Sequence, residues 1–276
     1  MEIKRPRSWQ GFKKIIEEIR VQYGSHTINL SSGKDHTRRN KILFRGQGNA
    51  KWELKTTLER VTSERLSVLQ YWVHATSGSN EIESLTGTDW KLKHFPEVKE
   101  EIEKTHDSFR ITLPSYDYLV YLRHHGFPSP LLDWTESPYI AAFFAYSAAE
   151  SSNSAVYCYI ETPEGGKGHT SYDPFIQVMG PYVTTHKRHF AQKAWYTVSS
   201  EWDEDNKCLF FCNHEKVFKL NSPNQDVLIK IVLPSKLRIE VLNELNDYNI
   251  NYFTLFQSED SLIQSIAMRE FLLKKV

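Results

Sequence analysis

Two short segments hold the side chains best suited to grip a small anionic ligand. In Phe44-Arg45-Gly46-Gln47-Gly48 an arginine closes an apolar run and precedes two glycines. A guanidinium there would sit on rigid backbone and offer a planar fork to a phosphate or carboxylate, while the glycines allow a turn or close approach by a ligand. A salt bridge across a sheet edge explains such an arginine equally well. In PSPLLDWTESPYIAAFFA, Asp133 and Thr135 flank Trp134 where extended chain becomes helix. Asp133 is placed to orient Arg45 or another donor. Thr135 and Ser137 can bind a ribose hydroxyl, although Ser137 is more economically a helix cap. Trp134 could stack on a base, but a large aromatic is more often a packing residue. A third group, His186-Lys187-Arg188-His189-Phe190-Ala191-Gln192, is a local positive patch leading into a strand. From it Arg188 can meet an anion and Gln192 can donate and accept hydrogen bonds. A solvated turn is the competing reading.

Several other chemistries lack their residues. There is no GxSxG, HExxH, GxxxxGK[ST] or complete glycine-rich dinucleotide fingerprint. GGKGH at 165–169 lacks the strand-to-helix setting of a phosphate loop and reads as an exposed hairpin. His124 and His125 are adjacent on a helix, so they point apart and do not suit one ion. Cys208, Cys212 and His214 lack the second ligand pair of a structural zinc, and no metal is expected. A nuclease working through Arg123 and Arg188 ranks last, because no carboxylate cluster of the two-metal kind is apparent.

The positioning elements follow from composition and pattern. The chain has 276 residues, 40% of them hydrophobic and 13% aromatic, enough for a packed core and for stacking surfaces. Lys+Arg 34 against Asp+Glu 34 argues against long nucleic acid as a partner, while leaving room for a local basic groove. Three cysteines do not make a secreted disulfide framework. The basic N-terminus lacks the apolar core of a secretory signal, and no run reaches the roughly 18 apolar residues of a membrane span. The expected setting is the cytoplasm.

A single domain over 1–276 is expected. Ser8 precedes a helix with Phe12, Ile15, Ile16 and Ile19 on one stripe, and polar chain follows with a short strand at 27–30. KILFRG reads as a strand, 58–74 as a helix, SGSNEIESLTGTDW as a flexible linker and KLKHFPEVKEEIEKTHDSF as a charged, exposed arm. Residues 72–110 thus look like a variable, partly exposed insertion. Ser115 would cap a helix closed by Gly126, a short strand would cover 131–134, and Ser137 with Pro138 would start an apolar helix. AVYCYIE, IQVMGPYVT, KAWYTVSS, KCLFFC and DVLIKIVLP are strands without regular helices between them. Helices follow Pro234 and Ser258. This order disfavours a doubly wound sheet and predicts an α+β fold, a mixed or antiparallel β-sheet core with flanking helices.

Taken together these segments resemble the FRG domain family, named for its [FY]RG motif. The likeness is carried by FKKII, LFRGQGNAKWELKTTL, YLRHHGFPSPLLDWTESPYIAAFFA, RHFAQKAWYTV and LFQSEDSLIQSI, which span most of the chain. The order of these pieces is similar to that of ADP-ribosyltransferases. That resemblance implies an ADP-ribosyltransferase-like sheet and NAD as the small nucleotide ligand. It implies Arg45 as the diphosphate grip, Leu132-Asp133-Trp134-Thr135 at the Ser-Thr-Ser strand and Gln192 near the catalytic glutamate. By the same likeness Gly46, Gln47, Trp134, Tyr139 and Arg188 border the ligand. Asp-Trp-Thr is not Ser-Thr-Ser and Gln192 is not a carboxylate, so Asp133, Glu136, Glu201 or Glu204 would have to supply the charge that stabilises a cationic sugar. The implied functions are NAD-like nucleotide binding with ADP-ribosyl transfer or NAD glycohydrolysis, or a non-catalytic sensor module with a protein partner in bacterial stress or phage defence.

Overall fold

The computed structural model describes residues 1–29, 35–105, 113–149, 152–165, 173–180, 183, 188–220 and 226–273. Ten strands are defined: β1 (Glu2–Lys4), β2 (Ser25–Asn29), β3 (Asp35–Arg39), β4 (Ile42–Gln47), β5 (Leu132–Thr135), β6 (Ser154–Ile160), β7 (Phe175–Met179), β8 (Ala194–Asp203), β9 (Cys208–Phe211) and β10 (Val227–Leu233). β2 and β3 form a separate hairpin. The others make one sheet in the order β1-β10-β6-β4-β5-β8-β7, with β9 also paired to β8. Only β1 and β10 run parallel, and every other pair is antiparallel. The expected α+β class, with a mainly antiparallel sheet and flanking helices, is what the chain adopts.

β6 is the buried spine. SAVYCYI is apolar almost throughout, and all its positions are buried because both faces of the strand are covered. On one face Phe44, Val156, Cys158, Ile229 and Ile231 meet α1 (Trp9–Tyr23), α7 (Pro138–Ser147) and α10 (Arg238–Asp247). On the other, Leu43, Trp134, Tyr157 and Tyr159 meet Leu54 and α9 (His214–Leu220), through Val217 and Phe218. A further cluster joins α3 (Val68–Thr76), α5 (Phe95–Thr105) and α6 (Tyr116–His124) to Tyr196 and Val198 of β8.

Local signals set the element that matters most. Ser137 Oγ accepts from Ile140 N at 3.3 Å and Pro138 occupies the first turn, so α7 starts where its cap dictates. Its small residues Ala141, Ala142 and Ala145 are buried against the sheet. At Gly46 a Cβ would stand 2.0 Å from Ala141 O, so glycine there lets the helix backbone lie directly on β4. Ser8 and Ser258 cap their helices as their positions suggest.

Elsewhere tertiary contacts override pattern. The helix expected over 58–74 is divided into α2 (Leu58–Val61) and α3. Between them the chain joins the edge of β9, where Phe211 N donates to Leu66 O, and Ser67 with Gln70 forms a capping box that starts α3 afresh. The expected flexible linker contains α4 (Ser79–Thr86), ended by Gly87 in the left-handed region. The expected exposed arm contains α5, whose Val98 and Ile102 are buried, so its charges occupy only the outward face. Ser115 is itself left-handed and makes no cap bond, its hydroxyl accepting from Trp72 Nε1 instead. The patch ahead of β8 is helical over α8 (Arg188–Gln192), while His186 and Lys187 lie outside the described residues, as does most of the 165–169 hairpin. Four elements carry no expectation from sequence: β1, α9, α11 (Tyr252–Phe256) and β3, which forms in chain that reads as a polar loop. They precede the last helix, α12 (Glu259–Ala267). Among the described residues no helix is long and apolar enough to cross a membrane.

Candidate functional site

β4 and β5 are neighbours in the sheet but pair at one position only, Phe44↔Thr135. Beyond it β4 runs with β6 and β5 with β8, so the sheet is two halves joined at a narrow seam. Arg45 spans the seam. Its Nη1 donates to the backbone carbonyl of Asp133 at 2.9 Å and lies 3.7 Å from Asp133 Oδ2.

A second arginine holds the same carboxylate more tightly. Arg123, in the last turn of α6, donates from Nε to Asp133 Oδ1 at 2.6 Å and from Nη2 to Oδ2, a bidentate fork. Its Nη1 reaches Thr57 Oγ1 at 3.3 Å, and Thr57 is fixed in turn by the backbone of Ser129. The two guanidiniums lie deep, with side chains 9% and 15% exposed for Arg123 and Arg45, whereas the Asp133 carboxylate is 51% exposed. Burial pushes the Asp133 carboxyl up. The charge and hydrogen bonds of Arg123, helped by Arg45, outweigh it, and the net displacement is below the ordinary carboxylate range. Burial also pulls Arg45 down to about 10, which leaves it cationic at neutral pH.

These groups open onto a cleft of about 530 Å³ at the seam. Arg45, Gly46, Asp133, Trp134, Thr135, Arg188 and Gln192 all border it, so seven of the nine expected site residues are brought together. Gln47 and Tyr139 are not among its lining. Gln47 is buried and donates to Glu53 O, while Tyr139, in the first turn of α7, packs edge-on to Trp9 and Tyr248.

Several of the seven are already committed. The Trp134 ring is 3% exposed, lies against Tyr159 and donates its indole N–H to Thr197 Oγ1 at 2.8 Å, which leaves no open face for a base. The cause is the two-residue period of β5, which turns Leu132 and Trp134 to one side and Asp133 and Thr135 to the other. Thr135 Oγ1 accepts from Ser137 N at 3.1 Å and organises the turn into α7. Gln192 Nε2 donates to Leu255 O at 3.0 Å, and Arg188 Nε to Phe256 O at 3.3 Å, so both fasten α8 to α11. Of the acidic residues expected to replace a glutamate, Asp133 is the one in the cleft. Glu201 is paired with Arg65 and Lys216 elsewhere, and Glu136 and Glu204 are not among the lining residues.

Three features escape sequence reasoning. Arg123 is the main partner of Asp133, and its signal was local, a helix-terminal cation ten residues before the acid with Gly126 and two prolines to reverse the chain. Phe144, Tyr252 and Phe256 form an aromatic wall of the cleft, for which the spacing of Tyr252 and Phe256 on one helical face is the only hint. His124 Nε2 and Tyr196 OH, 2.9 Å apart, also border the cleft.

Residues 40–154 match the family model of the FRG domain. The FRG span holds Arg45, Thr57, Arg123, Asp133 and α7, whereas α8, β8 and α11 lie after it. No curated protein and no solved structure matches the chain.

Proposed function

We propose that the seam cleft binds a phosphorylated nucleotide of the NAD type. The observation that carries this reading is the pairing of charge with aromatic surface. Arg45, Arg123 and Arg188 line the cleft together with a single carboxylate, Asp133, and Phe144, Tyr252 and Phe256 give the same cleft an aromatic surface. Phosphate needs the first and a base the second. The volume lies within the roughly 300–1,000 Å³ usual for small-ligand sites. A diphosphate is best met by Arg188, with the fixed Arg45 and Arg123 adding to the positive field of the cleft. The base would lie against Phe256, whose ring Arg188 already overhangs at 5.5 Å. A sheet parted into two halves with a cleft at the division also supports an ADP-ribosyltransferase-like arrangement.

Binding without turnover, as in a sensor module, is the preferred form of this reading. Asp133 is held at both oxygens by Arg123, and the Gln192 amide is spent on Leu255. ADP-ribosyl transfer or NAD glycohydrolysis is the second reading, favoured by the ionised, half-exposed state of Asp133, the one lining carboxylate that could stabilise a cationic sugar. Titration calorimetry with NAD and ADP-ribose, alongside an assay for released nicotinamide, separates the two. Binding with no nicotinamide released supports the sensor form. An Arg188→Ala variant should lose about tenfold or more in affinity, the worth of one charge-assisted contact. Absence of binding by the intact protein at millimolar NAD would refute the proposal.

A further inference from the structure

We infer that Asp133 reads hydroxyl groups, and that the ligand it selects carries a vicinal diol such as the ribose of an unmodified ribonucleotide. This rests on the nucleotide reading and specifies which part of the ligand meets which wall. The arrangement runs against intuition, since the arginines of the triad are the buried members and the carboxylate is the exposed one. What the cleft meets at this point is therefore an acceptor.

Three kinds of ligand group could approach it. A phosphate brings mainly acceptors to a group that is itself an acceptor, so it makes no hydrogen bond with the half-exposed carboxylate. A cation would find the field of Asp133 already cancelled by two guanidiniums, both with nitrogens within 4 Å of its oxygens. A neutral donor meets neither penalty. A carboxylate offers about four acceptor sites, two on each oxygen. Arg123 occupies one on Oδ1 and one on Oδ2, so each oxygen keeps a further site. Two acceptor atoms of one carboxylate, side by side, fit the two donors of a cis-diol.

The group is also held still. Arg123 is anchored by Thr57, Thr57 by Ser129, and Arg45 ties the Asp133 backbone to β4, so little motion need be lost when the diol docks. Arg188 lies on α8, a different element from β5, which leaves the phosphates a separate anchor.

The test is calorimetric titration of the intact protein with NAD and with NAD analogues lacking the 2′-hydroxyl on one ribose or the other. One of the two deoxy analogues should bind about tenfold more weakly or worse than NAD, the worth of a hydrogen bond to a charged group. In Asp133→Asn the ratio between NAD and that analogue should fall towards one, because one acceptor becomes an amide. In Arg188→Ala affinity should drop while the ratio persists. If NAD binds and both analogues bind equally well, the inference fails and the nucleotide reading stands. If neither NAD nor ADP-ribose binds, both fail together. The analogue comparison needs only the natural chain, so a poorly folding variant does not remove the test.

Discussion

Acid should destabilise this protein through a histidine behind the cleft, well before the cleft's own carboxylate is protonated. His214 is 1% exposed and its Nε2 lies 2.9 Å from Thr197 Oγ1, the same hydroxyl that accepts the Trp134 indole N–H. The imidazole thus braces the ring next to Asp133 on β5. Burial pulls its pKa down to about 3, against a hydrogen bond to Thr197 that raises it and with the charge of Arg45 lowering it further. In the unfolded chain a histidine titrates near ~6.5. Between those two values the unfolded chain takes up a proton that the folded protein refuses. Stability from this group is therefore complete above about pH 6.5 and is lost as pH falls towards about 3, at roughly 1.4 kcal/mol per unit. From pH 6.5 to 4.5 the loss is about 2–3 kcal/mol, a large share of the ~5–15 kcal/mol that holds a typical domain together.

Urea unfolding at four pH values between 7.5 and 4.5, on the natural chain and on His214→Gln, measures it. The glutamine keeps a polar group towards Thr197 but does not titrate. The variant is less stable at neutral pH, and the two curves should converge by about 2 kcal/mol on acidification. The chain has 11 histidines, and the other ten titrate in both proteins and cancel in the difference. Parallel curves would show that the imidazole protonates freely in the folded state, and the brace behind Trp134 would then be wrong.

Two further perturbations probe the seam. Asp133→Ala strands two buried guanidiniums and should cost roughly 2–3 kcal/mol, less than the ~3–5 of a fully buried pair because the carboxylate is half exposed. Chemical denaturation of the Asp133→Ala, Arg123→Ala cycle should give a coupling of at least about 1 kcal/mol, and simple additivity would place the pair on the surface. Gly46→Ala puts a Cβ where Ala141 O now lies 2.0 Å away, so α7 must lift from β4 at a cost of about 3 kcal/mol or more, read as a fall in the thermal midpoint.

What the sequence discloses and what it hides follow from the range of the contacts concerned. Ser137 and Pro138 declare the start of α7 because a cap bonds three residues away. The separation of Asp133 from Trp134 was also legible, since a strand of four residues must alternate, and Leu132 shares a face with Trp134. The break between α2 and α3 was not, because the edge of β9 claims that stretch from far along the chain. Nor was the aromatic wall, which Arg188 and Gln192 set in place by bonding two carbonyls of α11 more than sixty residues on.

The cleft itself is the least legible feature, because it exists where two strands stop pairing, and a pattern of apolar residues records pairing and not its absence. Phe44↔Thr135 is the sole ladder contact across the seam, and the Arg45–Asp133 bond is a side-chain tie beside it. From sequence Arg45 reads as either a ligand grip or a salt bridge at a sheet edge, and the structure places its contact with Asp133 between two inner strands of the sheet. Any ligand that engages Asp133 acts on the joint between the two halves. A ligand that binds only the joined form raises the unfolding midpoint by mass action, in step with its concentration over its Kd. A nucleotide that bound tightly yet left that midpoint unmoved would have to bind the unfolded chain as well as the folded one, and so could not depend on the joined seam.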